Sequence, residues 1–213
     1  MIVVSERRAG GTKFCLDLAK EKGLTFVAET SDRSVEELKY MRMYNDSMNG
    51  KHPKAIYHET NFADYYDFEE LVDKIENHDD YVFLHNEFVT PVGFKDADIF
   101  LMRESPRDGC ISVINFVVGN ALKNNDITKD EILVHISILL RDQICQTYMM
   151  TRYCLMHDIE PVFYEKMDWS KPVNSTLIDQ SIYRNEIYAS IDSHLNMTDL
   201  DFYRTMLLTK YKK

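Results

Sequence analysis

The chain has 213 residues, 45% of them hydrophobic, which suits one domain with its own core and excludes an intrinsically disordered chain. Its formal charge of −10 disfavours generic binding to nucleic acid or an anionic membrane, yet leaves room for a local basic pocket that grips one small anion. Four cysteines, Cys15, Cys110, Cys145 and Cys154, form no Cys-x-x-Cys pair and have no histidine cluster beside them, so no zinc site is expected.

Residues Met1 to Ser5 lack the basic stretch and long apolar run of a leader or span, and placement in the cytoplasm is expected. Cys15, Cys110 and Cys145 lie in apolar stretches and are read as buried thiols in a reducing compartment.

In chain order, Ile2 to Val4 is a short β-branched run, read as a first strand. A turn with Ala9-Gly10-Gly11 follows, and Phe14, Leu16, Leu18 and Ala19 fit a helix. Leu24 to Ala28 is a second apolar run. Residues 33–48 read as a helix, Ala55 to His58 as a weak strand and Phe68 to Ile75 as a short amphipathic helix. Tyr81 to Leu84 and Ile99 to Met102 are strands, the first followed by His85 and the second by Arg103. Pro106 to Leu122 predicts a helix with proline in its first turn. Thr128 and Glu131, three residues apart, form a capping-box pair that opens a long helix to about Met156. Pro161 to Tyr164 is a last strand, and the chain from Ser175 onward is mostly helical.

Strands alternating with helices predict an α/β fold, a three-layer sandwich with a central parallel sheet. A single domain over residues 1–213 is expected, with a helical C-terminal part from about residue 168. Ligands of such sheets bind beyond the carboxyl ends of the strands. The residues after Val4, Leu84 and Met102 are therefore the ones to weigh.

After the first strand comes Ser5-Glu6-Arg7-Arg8-Ala9-Gly10-Gly11-Thr12-Lys13-Phe14. Small residues let the backbone curl so that N–H groups point inward, and a helix N-terminus adds partial positive charge. Arg8, Thr12 and Lys13 add charged and hydroxyl donors, making a cradle for a phosphate or sulfate group. The plainer reading is a tight strand-to-helix turn with solvated charges. The loop is not a Walker A motif, because Thr12 precedes Lys13 and the earlier glycine is missing.

Arg8-Ala9-Gly10-Gly11-Thr12-Lys13-Phe14 resembles the first phosphate loop of sulfotransferases, with Gly11 and Lys13 departing from the family pattern. Phe100-Leu101-Met102-Arg103, followed by Pro106 and a helix bearing Ser112, resembles the second signature of that family. The step from Arg103 to Ser112 is one residue longer than usual, which places a bulge near Glu104-Ser105 and makes Arg107 an alternative to Arg103. Pro161-Val162-Phe163-Tyr164-Glu165 resembles a late strand of the family.

The resemblance implies a P-loop nucleotide-binding (sulfotransferase-like) fold. It also implies 3′-phosphoadenosine 5′-phosphosulfate (PAPS, with product PAP) as the sulfuryl donor. Arg8, Ala9, Gly10, Gly11, Thr12, Lys13 and Phe14 would hold its 5′-phosphosulfate, and Arg103 and Ser112 its 3′-phosphate. His85 would be the catalytic base, with Glu87 as fallback, and Lys13 would stabilise the leaving group. Tyr164-Glu165 would be structural, with Glu165 bonding near the cofactor loop. The acceptor would be a small molecule or glycan with a hydroxyl or amine. No nucleic-acid or membrane partner is expected, and oligomer formation is left open. Tyr40, Tyr44, Tyr65 and Tyr66 are read equally as acceptor lining, core or surface. The Arg-Lys-Gly segment that closes the site in cytosolic sulfotransferases has no counterpart in residues 168–213, where Arg184 is the stand-in considered. Two rivals remain. One is a nucleotide or nucleoside kinase with Asp96 or Asp98 on magnesium, and the other is a non-catalytic nucleotide-binding protein of the same fold.

Overall fold

A computed structural model describes residues 1–30, 81–85, 94, 97–124, 128–172 and 176–211. The chain is a mixed α/β protein whose paired strands run parallel. It divides into two compact units. Met1–Ser5 with Gly10–Phe100 form the first, and Glu6–Ala9 with Leu101–Lys213 the second. The predicted helices over 33–48 and Phe68–Ile75, the predicted strand Ala55–His58, Tyr40, Tyr44, Tyr65, Tyr66, Glu87 and Asp96 lie outside the described residues.

In the first unit, β1 (Ile2–Ser5), β2 (Thr25–Thr30) and β3 (Tyr81–His85) form a parallel arrangement with β3 in the middle. Val4 pairs with His85 and Thr25 with Tyr81. Parallel neighbours need a crossover. Helix α1 (Gly11–Lys22) begins that crossover and lies against all three strands. Cys15 and Ala19, one turn apart, form its buried stripe, facing the buried Val3, Val4, Val82 and Leu84 of the sheet.

In the second unit, Leu101 and Met102, the last two residues of β4 (Ile99–Met102), pair with Val162 and Phe163 of the two-residue β5 (Val162–Phe163). Helices α2 (Pro106–Asn124), α3 (Lys129–Met156), α4 (Thr176–Gln180), α5 (Arg184–Asn196) and α6 (Leu200–Tyr211) make up most of the remainder. Ile132, Ile136, Leu140 and Ile144 recur every fourth residue along α3 and pack with Ile111, Ile114 and Val118 of α2 and Ile187, Ile191 and Leu195 of α5. The capping box is formed as expected: the Thr128 hydroxyl accepts from the Glu131 N–H at 3.4 Å, and the Glu131 carboxylate accepts from the Thr128 N–H at 3.0 Å. Asp158, in the left-handed region at φ 55°, ends α3, and the Ile159 N–H returns to the Cys154 carbonyl at 2.9 Å.

One burial expectation is corrected. Cys15, Cys110 and Cys154 are buried, whereas Cys145 is exposed. Its neighbour Ile144 faces the core, and one residue further along a helix turns the side chain by about 100°. Among the described residues no helix is long and apolar enough to cross a membrane.

Candidate functional site

The loop after β1 is set by two glycines that the structure needs for different reasons. Gly10 caps α1 with φ 77°, a conformation costly for a residue with a Cβ. Gly11 is buried, and a Cβ there would meet Leu84 Cδ1 and Ser5 Oγ at 2.8 Å each, so only glycine lets the helix start this close to β1 and β3. Gly10 has no side chain with which to cap the helix, and no acidic residue occupies its first turn. The helix N-terminus thus keeps its partial positive charge. Ala9 is buried, Thr12 and Phe14 are half-buried, and Lys13 forms an exposed ion pair with Asp17 one turn along.

Arg8 also has a left-handed backbone, at φ 63°. This costs a non-glycine residue about 1–2 kcal/mol. Two hydrogen bonds hold the turn: Ala9 N–H donates to the Glu6 carbonyl at 3.1 Å, and Arg103 Nε donates to the Arg8 carbonyl at 2.9 Å. The Arg8 side chain is exposed, with its guanidinium 4.3 Å from the Phe116 ring centre. Among the described residues no carboxylate pairs with it. Partial burial and the like charge of Arg103 pull its pKa below the ordinary guanidinium value.

Arg103 follows β4 and is buried at 4% exposure. Its backbone N–H donates to Glu6 Oε2 at 3.0 Å, its Nη1 donates to Glu165 Oε1 at 3.3 Å, and its guanidinium stacks 4.3 Å over the Tyr164 ring. The second Glu165 oxygen accepts from the Glu104 N–H at 2.9 Å, which fixes that carboxylate at both ends. Of the two arginines weighed for this role, Arg107 is otherwise engaged. It pairs with Asp192 at 3.0 Å and lies 5.1 Å from the Tyr188 ring, both on α5. Ser105 accepts from the Asp108 N–H at 3.2 Å and starts α2, and Ser112 is half-buried in the second turn of that helix.

Sequence reasoning missed Arg204. It projects from α6 at 1% exposure, pairs with the equally buried Glu6 and donates through Nη1 to the Arg103 carbonyl. Its Nη2 also donates to Thr151 Oγ1 at 2.8 Å. The signal was present: Leu200, Arg204 and Leu207 are spaced as one apolar stripe, and a charge on such a stripe needs a buried partner. Arg184, the earlier stand-in, pairs with Asp179 at 3.3 Å instead. Among the described residues, Arg103 pairs with Glu165 and Arg204 with Glu6, while Arg8 has no carboxylate partner.

His85 ends β3 opposite Val4, at the carboxyl end of the sheet where the first loop begins. Asp98 stands at the opposite end, its carboxylate accepting from the Ile2 N–H at 2.7 Å, away from where a parallel sheet binds ligands. No family model matches this chain, and comparison with curated proteins and with solved structures likewise finds no match.

Proposed function

We propose that this chain is a sulfotransferase of the P-loop type, with a three-layer sandwich about a central parallel sheet. Its donor is 3′-phosphoadenosine 5′-phosphosulfate, and its acceptor is a hydroxyl or amine of a small molecule or glycan. The observation that carries the reading is the placement of Arg8 and Arg103. The carbonyl of Arg8 is held by the guanidinium of Arg103, and among the described residues no carboxylate pairs with the Arg8 side chain. Such a pair suits an anion with fixed geometry, since guanidinium donors match phosphate oxygens two at a time. A strained backbone at Arg8 is also what sites that fix a side chain often show.

The donor supplies an activated sulfuryl group carried on a phosphate. Arg8 and the N–H groups of the first turn of α1 stabilise negative charge there, and Arg103 with Ser112 holds the 3′-phosphate. Lys13 leaves Asp17 to join them, a cheap exchange because an exposed ion pair is worth about 0.3–0.5 kcal/mol. His85 accepts the acceptor's proton as its oxygen or nitrogen attacks sulfur, and the bond from sulfur to the 5′-phosphate oxygen breaks, releasing 3′-phosphoadenosine 5′-phosphate. The place of Asp98 at the far end of β1 weighs against the kinase reading. The hold of Glu165 on Arg103 favours a second reading, a non-catalytic anion-binding protein.

Thermal melting with 3′-phosphoadenosine 5′-phosphate, against ATP with Mg²⁺, tests the proposal. A ligand at about a hundred times its Kd adds about 2.7 kcal/mol. A shift with the bisphosphate that is lost in the exposed-site variant Arg8→Ala supports it. A shift with ATP and Mg²⁺ alone supports the kinase, and no shift with either sinks the reading.

A further inference from the structure

A groove of about 500 Å³ lies in the second unit, far along the chain from the phosphate loop residues. This is within the range of small-molecule sites, about 300–1,000 Å³. Arg141, Cys145 and Tyr148 of α3 line it, together with His194 at the end of α5 and Met197 and Asp199 in the turn before α6. The spacing 141, 145, 148 puts the first three on one helix face.

The wall carries both signs of charge. Arg141 uses Nε and Nη2 on a single oxygen of Asp142, at 3.3 and 3.2 Å, which leaves other donors of its fork uncommitted. No hydrogen bond or ion pair engages the Asp199 carboxylate among the described residues; its backbone carbonyl accepts the Tyr203 N–H at 3.0 Å and so opens α6. His194 Nδ1 lies 2.7 Å from the Ser190 carbonyl, which can only accept, so Nδ1 is the donor of that contact and Nε2 makes no part of it. Ile144, Tyr148 and Met197 supply apolar and aromatic surface between these polar groups, and Met adapts to varied shapes.

A ligand of one sign would meet a like charge at Arg141 or at Asp199, whereas a ligand with both signs meets a complement at each. We infer that this groove binds a zwitterionic amino acid with an apolar or aromatic side chain, its carboxylate toward Arg141 and its ammonium toward Asp199. The inference does not depend on the sulfotransferase reading.

Cys145 on the wall reports occupancy. Iodoacetamide labelling of Cys145, read by mass spectrometry, is followed with millimolar L-phenylalanine, L-tyrosine, L-leucine or L-methionine. At least one is expected to protect the thiol saturably. For L-phenylalanine, 3-phenylpropionate and phenethylamine, each lacking one charge, should protect about tenfold or more weakly, a step of about 1.4 kcal/mol. Arg141→Gln should abolish the preference for L-phenylalanine over phenethylamine, and Asp199→Asn its preference over 3-phenylpropionate. Both positions are exposed, so the variants should melt like the parent. Protection by none of the four amino acids overturns the proposal. Equal protection by 3-phenylpropionate overturns it in favour of a simple anion site, and protection unchanged in both variants places the ligand elsewhere.

Discussion

Arg8 occupies a backbone conformation that glycine would adopt without strain. Arg8→Gly should therefore hold the melting temperature within a few degrees of the parent, the relieved strain offsetting the lost contact with Phe116 and the greater freedom of the unfolded chain. Calorimetry with the bisphosphate should meanwhile show weaker binding. Retained affinity would remove Arg8 from the site. Glu6 and Arg204 behave oppositely, because each is buried and compensates the other. Breaking such a pair from one side costs about 3–5 kcal/mol, whereas replacing both partners by apolar residues costs less. Urea denaturation should find Glu6→Gln, which leaves the Arg204 charge buried and uncompensated, losing stability on that scale. A loss under about 1 kcal/mol would contradict the pairing. Arg8, Gly10, Gly11 and Arg103 were legible because each sits in a short strand-to-loop pattern. The Glu6–Arg204 pair was not, because the residues stand 198 positions apart and nothing local joins them.

At the scale of the element, α3 was read almost to its ends because its start is a local hydrogen-bond pattern three residues wide. Thr128→Ala should cost about 1 kcal/mol, measured by urea denaturation at neutral pH. The Thr128 hydroxyl, followed by its backbone N–H, holds the Glu131 carboxyl below the ordinary value. A carboxyl lowered in the folded state contributes fully above its unfolded pKa of about 4.3 and loses that contribution as pH falls through its folded value. The difference between parent and Thr128→Ala should therefore shrink below about pH 4. A difference that grows on acidification would contradict the assignment. The error at Cys145 belongs to this scale too. A mean apolar stretch does not say which face of a helix a residue takes, and α3 buries the stripe through Ile144. The strands Ile2–Ser5, Tyr81–His85 and Ile99–Met102 were readable because each is a short β-branched or aromatic run, whereas β5 shrank to two residues, the 3₁₀ turn starting at Tyr164.

At the scale of the molecule, the class was readable from alternation, while the division into two units was not. Residues 6–9 join the later unit although they sit between β1 and α1, and that exchange comes from contacts distant in sequence. The thiols report the integrity of both units. Burial pushes Cys110 and Cys154 up to about 12 and raises Cys15 as well. An acid whose folded pKa is raised stabilises fully below its unfolded value, about 8.5 for cysteine, and loses that contribution as pH rises through the folded value. A thiol reagent at neutral pH should modify one cysteine quickly, Cys145, and the other three only in denaturant. Two or more fast thiols would mean that a unit opens. The buried pair has one further consequence, for vectorial synthesis. Glu6 leaves the ribosome 198 residues before its arginine does, so the carboxylate cannot be desolvated at little cost until α6 has emerged. The later unit therefore closes around its earliest residues last, and a nascent chain stalled before Arg204 would keep that corner hydrated and open to a chaperone.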